Sequence, residues 1–424
     1  MSRDAFAHVH AIAAQGIPEY AEGLDHLRGR IKRAYALGDK CEVGFAASGT
    51  DLEYLPIAAV RGRAKGGVHN ILLGADEVGS GCIHSAHGHY FAEQTPLGVA
   101  TKPGVQVPGL ERVFLADVPV RCGEGLARTP AEVLADFERQ IAIAHENERH
   151  ALVHVVHGSK TGLILPDLEG LDYLRSKWGG EVTFVVDACQ ARITTEALRE
   201  YVERDAIVFL TGSKFMGGPP FNGFAILPRS IISTAQPPSG GLATIFARAE
   251  WPQGWQGREN LTESENPGLL LRYEASVFEL ERFQKIGMVQ VERVIDAFER
   301  AIKEALLDSC AIRMVRPFPK GQREEAETHP IEMRTLVTLD LSAVPGVRTF
   351  EDAQKLHRKL AVDGIRLGQP VKCVRLEDNE WGGTLRIGLS MPQMVHLSQL
   401  DNDALSASLH SDMSRIAAAL QCSK

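Results

Sequence analysis

The sequence has no apolar run approaching the roughly 20 residues that a membrane-spanning helix requires. Nor does it have a lysine/arginine run longer than two or three residues. With a formal net charge of −8 it lacks the basic surface that nucleic acid or an anionic membrane demands of a partner. Cysteine is sparse: seven thiols, at positions 41, 82, 122, 189, 310, 373 and 422, show no paired spacing. An odd, dispersed set in a long chain suits reduced thiols in a cytoplasm better than a disulfide framework. The first twenty residues contain no uninterrupted apolar segment, because Arg3, Asp4, His8, His10 and Gln15 break it, so they do not read as a secretory signal. Internal repeats and low-complexity tracts are absent.

What is present is a chain of 424 residues, 44% apolar and 24% charged, which on about 150 residues per domain suffices for two domains. The first forty residues read as helical, with Leu24, Leu27, Ile31 and Ala34 on one stripe. From about 41 to 230, short apolar runs at 69–73, 112–115, 151–156, 182–186, 207–210 and 223–227 alternate with amphipathic segments such as 130–147 and 194–204. Near-continuous apolar strands separated by helices predict an α/β fold whose mostly parallel sheet is covered on both faces. An irregular Gly/Pro/Gln-rich stretch at 235–258 carries Trp251 and Trp255, which suit a pocket wall and core packing equally. A long helical pattern covers 268–306. Strands at 334–340 and 384–389, with helices at 350–362 and 402–420, then predict a smaller α+β unit.

Three motifs carry chemistry. Ser48-Gly49-Thr50 ends a small-residue turn that opens a helix, where unpaired N–H groups and hydroxyls make an anion site; an ordinary helix cap uses the same residue types. Asp187 ends the apolar run Val182–Val186, at a strand terminus where open α/β sheets bind ligands and where a carboxylate needs a cationic partner. A helix cap is again the simpler alternative. Lys214, in Thr211-Gly-Ser-Lys-Phe-Met-Gly-Gly-Pro-Pro220, follows the strand at 207–210 among small, apolar and rigid residues. Partial burial there would lower the amine pKa and free it to attack a carbonyl. Together these are the parts pyridoxal 5′-phosphate needs: a phosphate anchor, a carboxylate for the pyridine nitrogen and a lysine for the aldehyde carbon.

With Asp187 and Gln190 three apart at the end of one strand and Lys214, in Thr211-x-x-Lys214, 27 residues after Asp187, the chain resembles the fold-type I pyridoxal-phosphate enzymes. The similar branch is that of class V aminotransferases, cysteine desulfurases and kynureninases, and the likeness runs from about residue 40 to 395. The resemblance implies a three-layer α/β/α large domain with a seven-stranded sheet at 35–290, and a small α+β domain from 1–34 and 291–424. It also implies a homodimer. Lys214 would form the Schiff base, Asp187 would meet the pyridine nitrogen and Gln190 the ring hydroxyl. Ser48, Gly49, Thr50, Thr211 and Ser213 would lie at the phosphate, and Ser159 would face ring and substrate. Arg386, in Thr384-Leu-Arg-Ile-Gly-Leu-Ser390, would grip a substrate carboxylate through its bidentate fork, and Ser264–Pro267 falls where the family sends a loop to its neighbour.

The chain departs from that pattern at the residue that stacks on the ring. A gap-free count places Val78 there, unless an insertion brings His84 or His87 into position, and Ser213 stands where a histidine often precedes the lysine. Lys160 repeats the Gly-Ser-Lys tripeptide without the flanking glycines and prolines. The set Cys82, His84, His87 and His89 lacks a second ligand cluster, so no metal is expected. The functional expectation is a cytoplasmic enzyme acting on an amino acid through an external aldimine, with Lys214 moving the Cα proton. Transamination ranks first. A lyase reaction with elimination or replacement comes second, and desulfuration using Cys373 third.

Overall fold

The computed structural model describes residues 1–75, 77–79, 81–316 and 335–420, in two compact units. The first comprises 1–120, 130–159 and 164–281; the second comprises 121–129, 160–163 and 282–424.

In the first unit the helices α1 (Arg3–Gln15) and α2 (Tyr20–Ala34) precede strand β1 (Cys41–Ala46). Helices α3 (Gly49–Leu52) and α4 (Tyr54–Val60) follow almost without a break, since Glu53 between them keeps helical dihedrals. Then come β2 (Val68–Leu73), α5 (Cys82–Ala86), β3 (Val113–Val118), α6 (Pro130–Glu146), β4 (His150–His157), the two-residue β5 (Ile164–Leu165), α7 (Leu168–Trp178), β6 (Val182–Asp187) and α8 (Thr195–Glu203). The strands β7 (Ile207–Thr211) and β8 (Gly223–Pro228), and the helices α9 (Arg229–Ile232) and α10 (Pro267–Phe283), complete it. The sheet order is β1-β8-β7-β6-β4-β2-β3, with β5 added antiparallel to β4, so there are eight strands rather than the seven expected. Only β5 and β8 run against the rest: β8 is antiparallel to both neighbours, and the β7-β6-β4-β2-β3 pairings are parallel. Strands β2, β4, β7 and β8 are buried along their whole length, which is why they read as largely apolar runs, broken only by His69 and Asn70 in β2 and by histidines in β4.

One face of this sheet packs on α4 through Leu55, Ile57, Ala58 and Val60 against Leu152, Val185, Phe209 and Ala225. Trp251 and Trp255 belong to this core, fully buried with ring centroids 5.0 Å apart. Core packing therefore accounts for both tryptophans.

Two expectations about domain organisation are corrected. Residues 1–34 pack in the first unit, not in a small domain. Buried Arg28 of α2 donates to the carbonyls of Val43, Ala249 and Trp251, and Arg30 pairs with Glu274 and Glu281 of α10. His8 of α1 stacks on Phe278 at 4.5 Å. The helical pattern at 268–306 is two helices, because Gly287 adopts an extended conformation and caps α11 (Met288–Ile302); the division between units falls at Glu281, not near 290.

The second unit contains a three-stranded antiparallel sheet, β11-β10-β9, of β9 (Arg313–Val315), β10 (Leu336–Asp340) and β11 (Thr384–Gly388). Position 334, the start of the expected strand 334–340, lies outside the described residues. Besides α11, its helices are Phe350–Val362, Met391–Ser398 and Asn402–Ala419, close to the sequence expectation. Cys41, Cys82, Cys122, Cys189 and Cys373 are free thiols, and Cys422 lies outside the described residues. No described helix is long and apolar enough to cross a membrane.

Candidate active site

Because β1, β2, β4, β6 and β7 run the same way, the segments that follow them emerge at one edge of the sheet. Those segments are Ser48–Thr50, the 74–81 connection, Gly158–Ser159, Ala188–Gln190 and the Lys214 turn. That edge holds the carboxyl ends of the parallel strands, where such sheets place ligands.

The opening turn of α3 is built by Ser48, whose hydroxyl accepts from the Asp51 amide at 3.2 Å and donates to the Asp51 carboxylate at 2.6 Å. The Ser48 hydroxyl hydrogen is thus already spent, which removes it as a phosphate donor. The amides of Gly49 and Thr50 have no acceptor among the described residues and remain a donor pair at the positive end of the helix. Burial pushes the Asp51 carboxyl up to about 6, against the lowering effect of Ser48. Gly49 is favoured by closeness: a Cβ there would lie 3.0 Å from Cys189 Sγ and 3.1 Å from Thr211 Cγ2. The turn is pressed onto the ends of β6 and β7.

At the end of β6, half-buried Asp187 accepts from the Cys189 amide at 2.9 Å. The Thr211 hydroxyl donates to the Cys189 carbonyl at 2.6 Å, so it too is committed within the protein. Burial, with Asp187 as the next cause, holds the Cys189 thiol well above the usual thiol range.

Lys214 occupies the apex of the 212–216 turn. Phe215 and Met216 beside it are buried, and the lysine is exposed. Partial burial, the expected source of its reactivity, is therefore corrected: the turn sends its apolar members inward and its amine outward. No hydrogen bond or ion pair engages the ammonium among the described residues. The turn itself is rigid. Gly218 N–H donates to Gly212 O at 2.8 Å, Gly217 N–H to Lys214 O at 2.9 Å, and Gly217 has a left-handed φ of 74°. Phe215 N–H donates to the Gln190 carbonyl at 3.2 Å, tying the lysine turn to the β6 end. Ser213 and Gln190 are half-buried on these two tied segments.

The remaining expected residues have the following surroundings. The Ser159 hydroxyl donates to buried Glu77 at 2.7 Å. Val78 is buried, while His84, His87 and His89 are partly exposed, the last two in an edge-on pair at 4.4 Å. Burial lowers the pKa of His87 and His89, and among the described residues no group of three or more His, Cys, Asp or Glu is arranged to hold a metal. Arg386 lies in the second unit on β11, nine-tenths buried, and donates to the carbonyls of Gln369 and Lys160, each at 2.9 Å. Asn266 caps α10, accepting from the Leu269 amide.

The sequence matches no family model and no curated protein. Its fold is nonetheless shared with solved structures. A NifS-like protein superposes with a TM-score of 0.58 at 12% identity, covering 99% of this chain and 96% of that one. A C-DES mutant with glycine covalently linked to its PLP cofactor gives 0.58 at 14%, covering 97% and 92%. The ureidoglycine–glyoxylate aminotransferase of Bacillus subtilis gives 0.54 at 13%, covering 95% and 88%. The chain has the fold of the fold-type I pyridoxal-phosphate enzymes. Within that fold, Glu53 and His154, absent from the sequence motifs, gather near Asp187 with Cys82, which the sequence offered only as part of an incomplete metal set. Their signal was a charged or imidazole residue inside an apolar run, Glu53 in LEYLPIAAV and His154 in ALVHVV.

Proposed function

We propose that this chain is a pyridoxal-phosphate-dependent enzyme acting on amino acids, with transamination as its reaction. The observation that carries the reading is the convergence of three segments at one sheet edge. The free Gly49 and Thr50 amides, the Asp187 carboxylate and the exposed Lys214 amine are joined by the Gly49–Cys189–Thr211 contact and the Phe215–Gln190 hydrogen bond. These residues fit the cofactor. The orphan amides suit a phosphate dianion, and a half-buried carboxylate suits a protonated ring nitrogen.

Bound pyridoxal phosphate supplies an electron sink that makes the bonds at the Cα of an amino acid labile. The chain's own part is positioning and proton movement. Gly49, Thr50 and Ser213 would hold the phosphate, Asp187 would keep the ring nitrogen protonated, and Gln190 would orient the ring hydroxyl. Lys214 Nζ would hold the cofactor and then take and return the Cα proton. Ser159, through its bond to Glu77, and Arg386 are proposed for the substrate, Arg386 for its carboxylate. The same reading proposes a cytoplasmic homodimer and sets a lyase reaction second. Burial of Cys373, only 4% exposed, counts against desulfuration through that thiol.

The test is direct. Protein reconstituted with the cofactor turns yellow, and borohydride followed by peptide mapping places a pyridoxyl group on Lys214. Colourless protein, or a label on Lys160, defeats the proposal. Screening amino acids for keto acid, ammonia and sulfide release then separates transamination from the lyase reactions.

A further inference from the structure

Glu53 and His154 are two of the most deeply buried ionisable groups in the first unit, each 1% exposed. Glu53 Oε2 lies 3.5 Å from His154 Nδ1. Neither that oxygen nor either ring nitrogen has a hydrogen-bond partner among the described residues. Polar groups buried so completely are rarely left unpaired without reason. The sheet register shows where they sit. His154 pairs with Val185 and Val156 with Asp187, so His154 lies on the face that carries Asp187, one layer deeper. Phe209, opposite Asp187 on β7, meets the His154 ring edge-on at 6.2 Å. Glu53 arrives from the same turn that presents Thr50, its amide hydrogen-bonded to the Thr50 carbonyl.

We propose that Glu53 and His154 form a proton-sharing pair that keeps the negative charge beneath the site on Asp187 rather than on Glu53. Glu53 is thereby a positioning residue for the ring-nitrogen partner. This rests on the reading of Asp187 given above. The groups facing Glu53 are His154 from β4, Asp187 from β6 and Cys82 from α5, with Cys189 from the β6–α8 connection beyond them. Two carboxylates share this apolar layer, and a second negative charge would require an imidazolium beside it. Burial resists that: it holds His154 down to about 3 and, with Asp187, raises Glu53 far above the carboxylate range. Both shifts favour the uncharged forms, for Glu53 against the lowering effect of the Cys82 thiol. The Glu53 O–H then points to Nδ1, the imidazole hydrogen sits on Nε2, and Asp187 is left ionised toward the site.

Two measurements test this, one without cofactor. In infrared spectra of the cofactor-free protein at pH 7, the wild type minus Glu53→Gln difference should show the carbonyl stretch of a protonated carboxyl. A carboxylate band in its place overturns the pair. With ¹⁵N-labelled pyridoxal phosphate bound, the pH midpoint of ring-nitrogen protonation is the second readout. In His154→Phe the Glu53 proton loses its acceptor and turns to Asp187, so the midpoint falls by about one pH unit. Glu53→Leu/His154→Phe removes that competing donor and restores it. An unshifted single variant, or a double variant shifted as far, overturns the proposal. If His154→Phe fails to fold, the infrared comparison decides alone. Failure of the wild type to take up cofactor defeats the proposed function, yet leaves the infrared result to judge the pair.

Discussion

Replacing Gly218 with alanine tests how the lysine turn is held. A Cβ at that position would stand 2.0 Å from Ser276 Oγ and 2.9 Å from the Gly212 carbonyl oxygen. The hydroxyl can rotate, but the carbonyl belongs to the backbone and already receives the Gly218 N–H at 2.8 Å. Moving Ser276 breaks its 2.8 Å hydrogen bond from Asn222 and its 2.9 Å donation to Arg272 O, at about 1 kcal/mol. Overpacking at the carbonyl adds about 1–3 kcal/mol. Gly218→Ala should therefore destabilise the first unit by about 2–4 kcal/mol, and Ser276→Ala by about 1 kcal/mol. Because the two share the same contact, the double variant should lose less than the sum of the singles, by about 1 kcal/mol. Urea unfolding followed by tryptophan fluorescence in a Trp381→Phe background reads this unit, since the other three tryptophans, Trp178, Trp251 and Trp255, lie in it. Borohydride labelling of Lys214 should fall in parallel as the turn shifts. Additive losses, or a Gly218→Ala cost under about 0.5 kcal/mol, would refute the reasoning.

The Glu250 carboxyl is held up to about 7, first by burial and against the hydrogen bond from Tyr20. A raised acid binds its proton more tightly folded than unfolded, so stability falls as pH rises from about 4 to 7, by up to about 3 kcal/mol; Glu250→Gln should flatten that limb of the denaturation profile. Arg30→Met should cost about 3–5 kcal/mol in urea unfolding, because it strands buried Glu274 with only His8 at 3.4 Å, and Arg30→Lys should cost less than half of that. Among the described thiols, exposed Cys122 should react first with a thiol reagent, and Cys82 and Cys373 only on unfolding, as peptide mapping of the native protein would show.

Most strands that sequence patterning finds are buried on both faces, as at β4 and β7, although β3 was found while buried only at its ends. The run Cys41–Ala46 is equally buried, yet Glu42 and Gly44 interrupt its pattern. Glu42 is tolerated there because Lys32 and Arg229 meet it, and Gly44 sits where a Cβ would crowd Pro252 and Leu55 at 3.1–3.2 Å. The break at Gly287 was hidden for the opposite reason, since apolar spacing continues through it.

The sequence by itself determined the strand–helix alternation, the Asp187–Gln190 and Thr211–Lys214 spacings and hence the expected cofactor chemistry, because each is a matter of local pattern. Tertiary structure decided which hydroxyls remain free, that Lys214 faces outward, that residues 1–34 join the first unit, and that Glu53 meets His154 behind Asp187. Those outcomes depend on partners far apart in the chain, and only packing determines which groups meet and which are shut away from water.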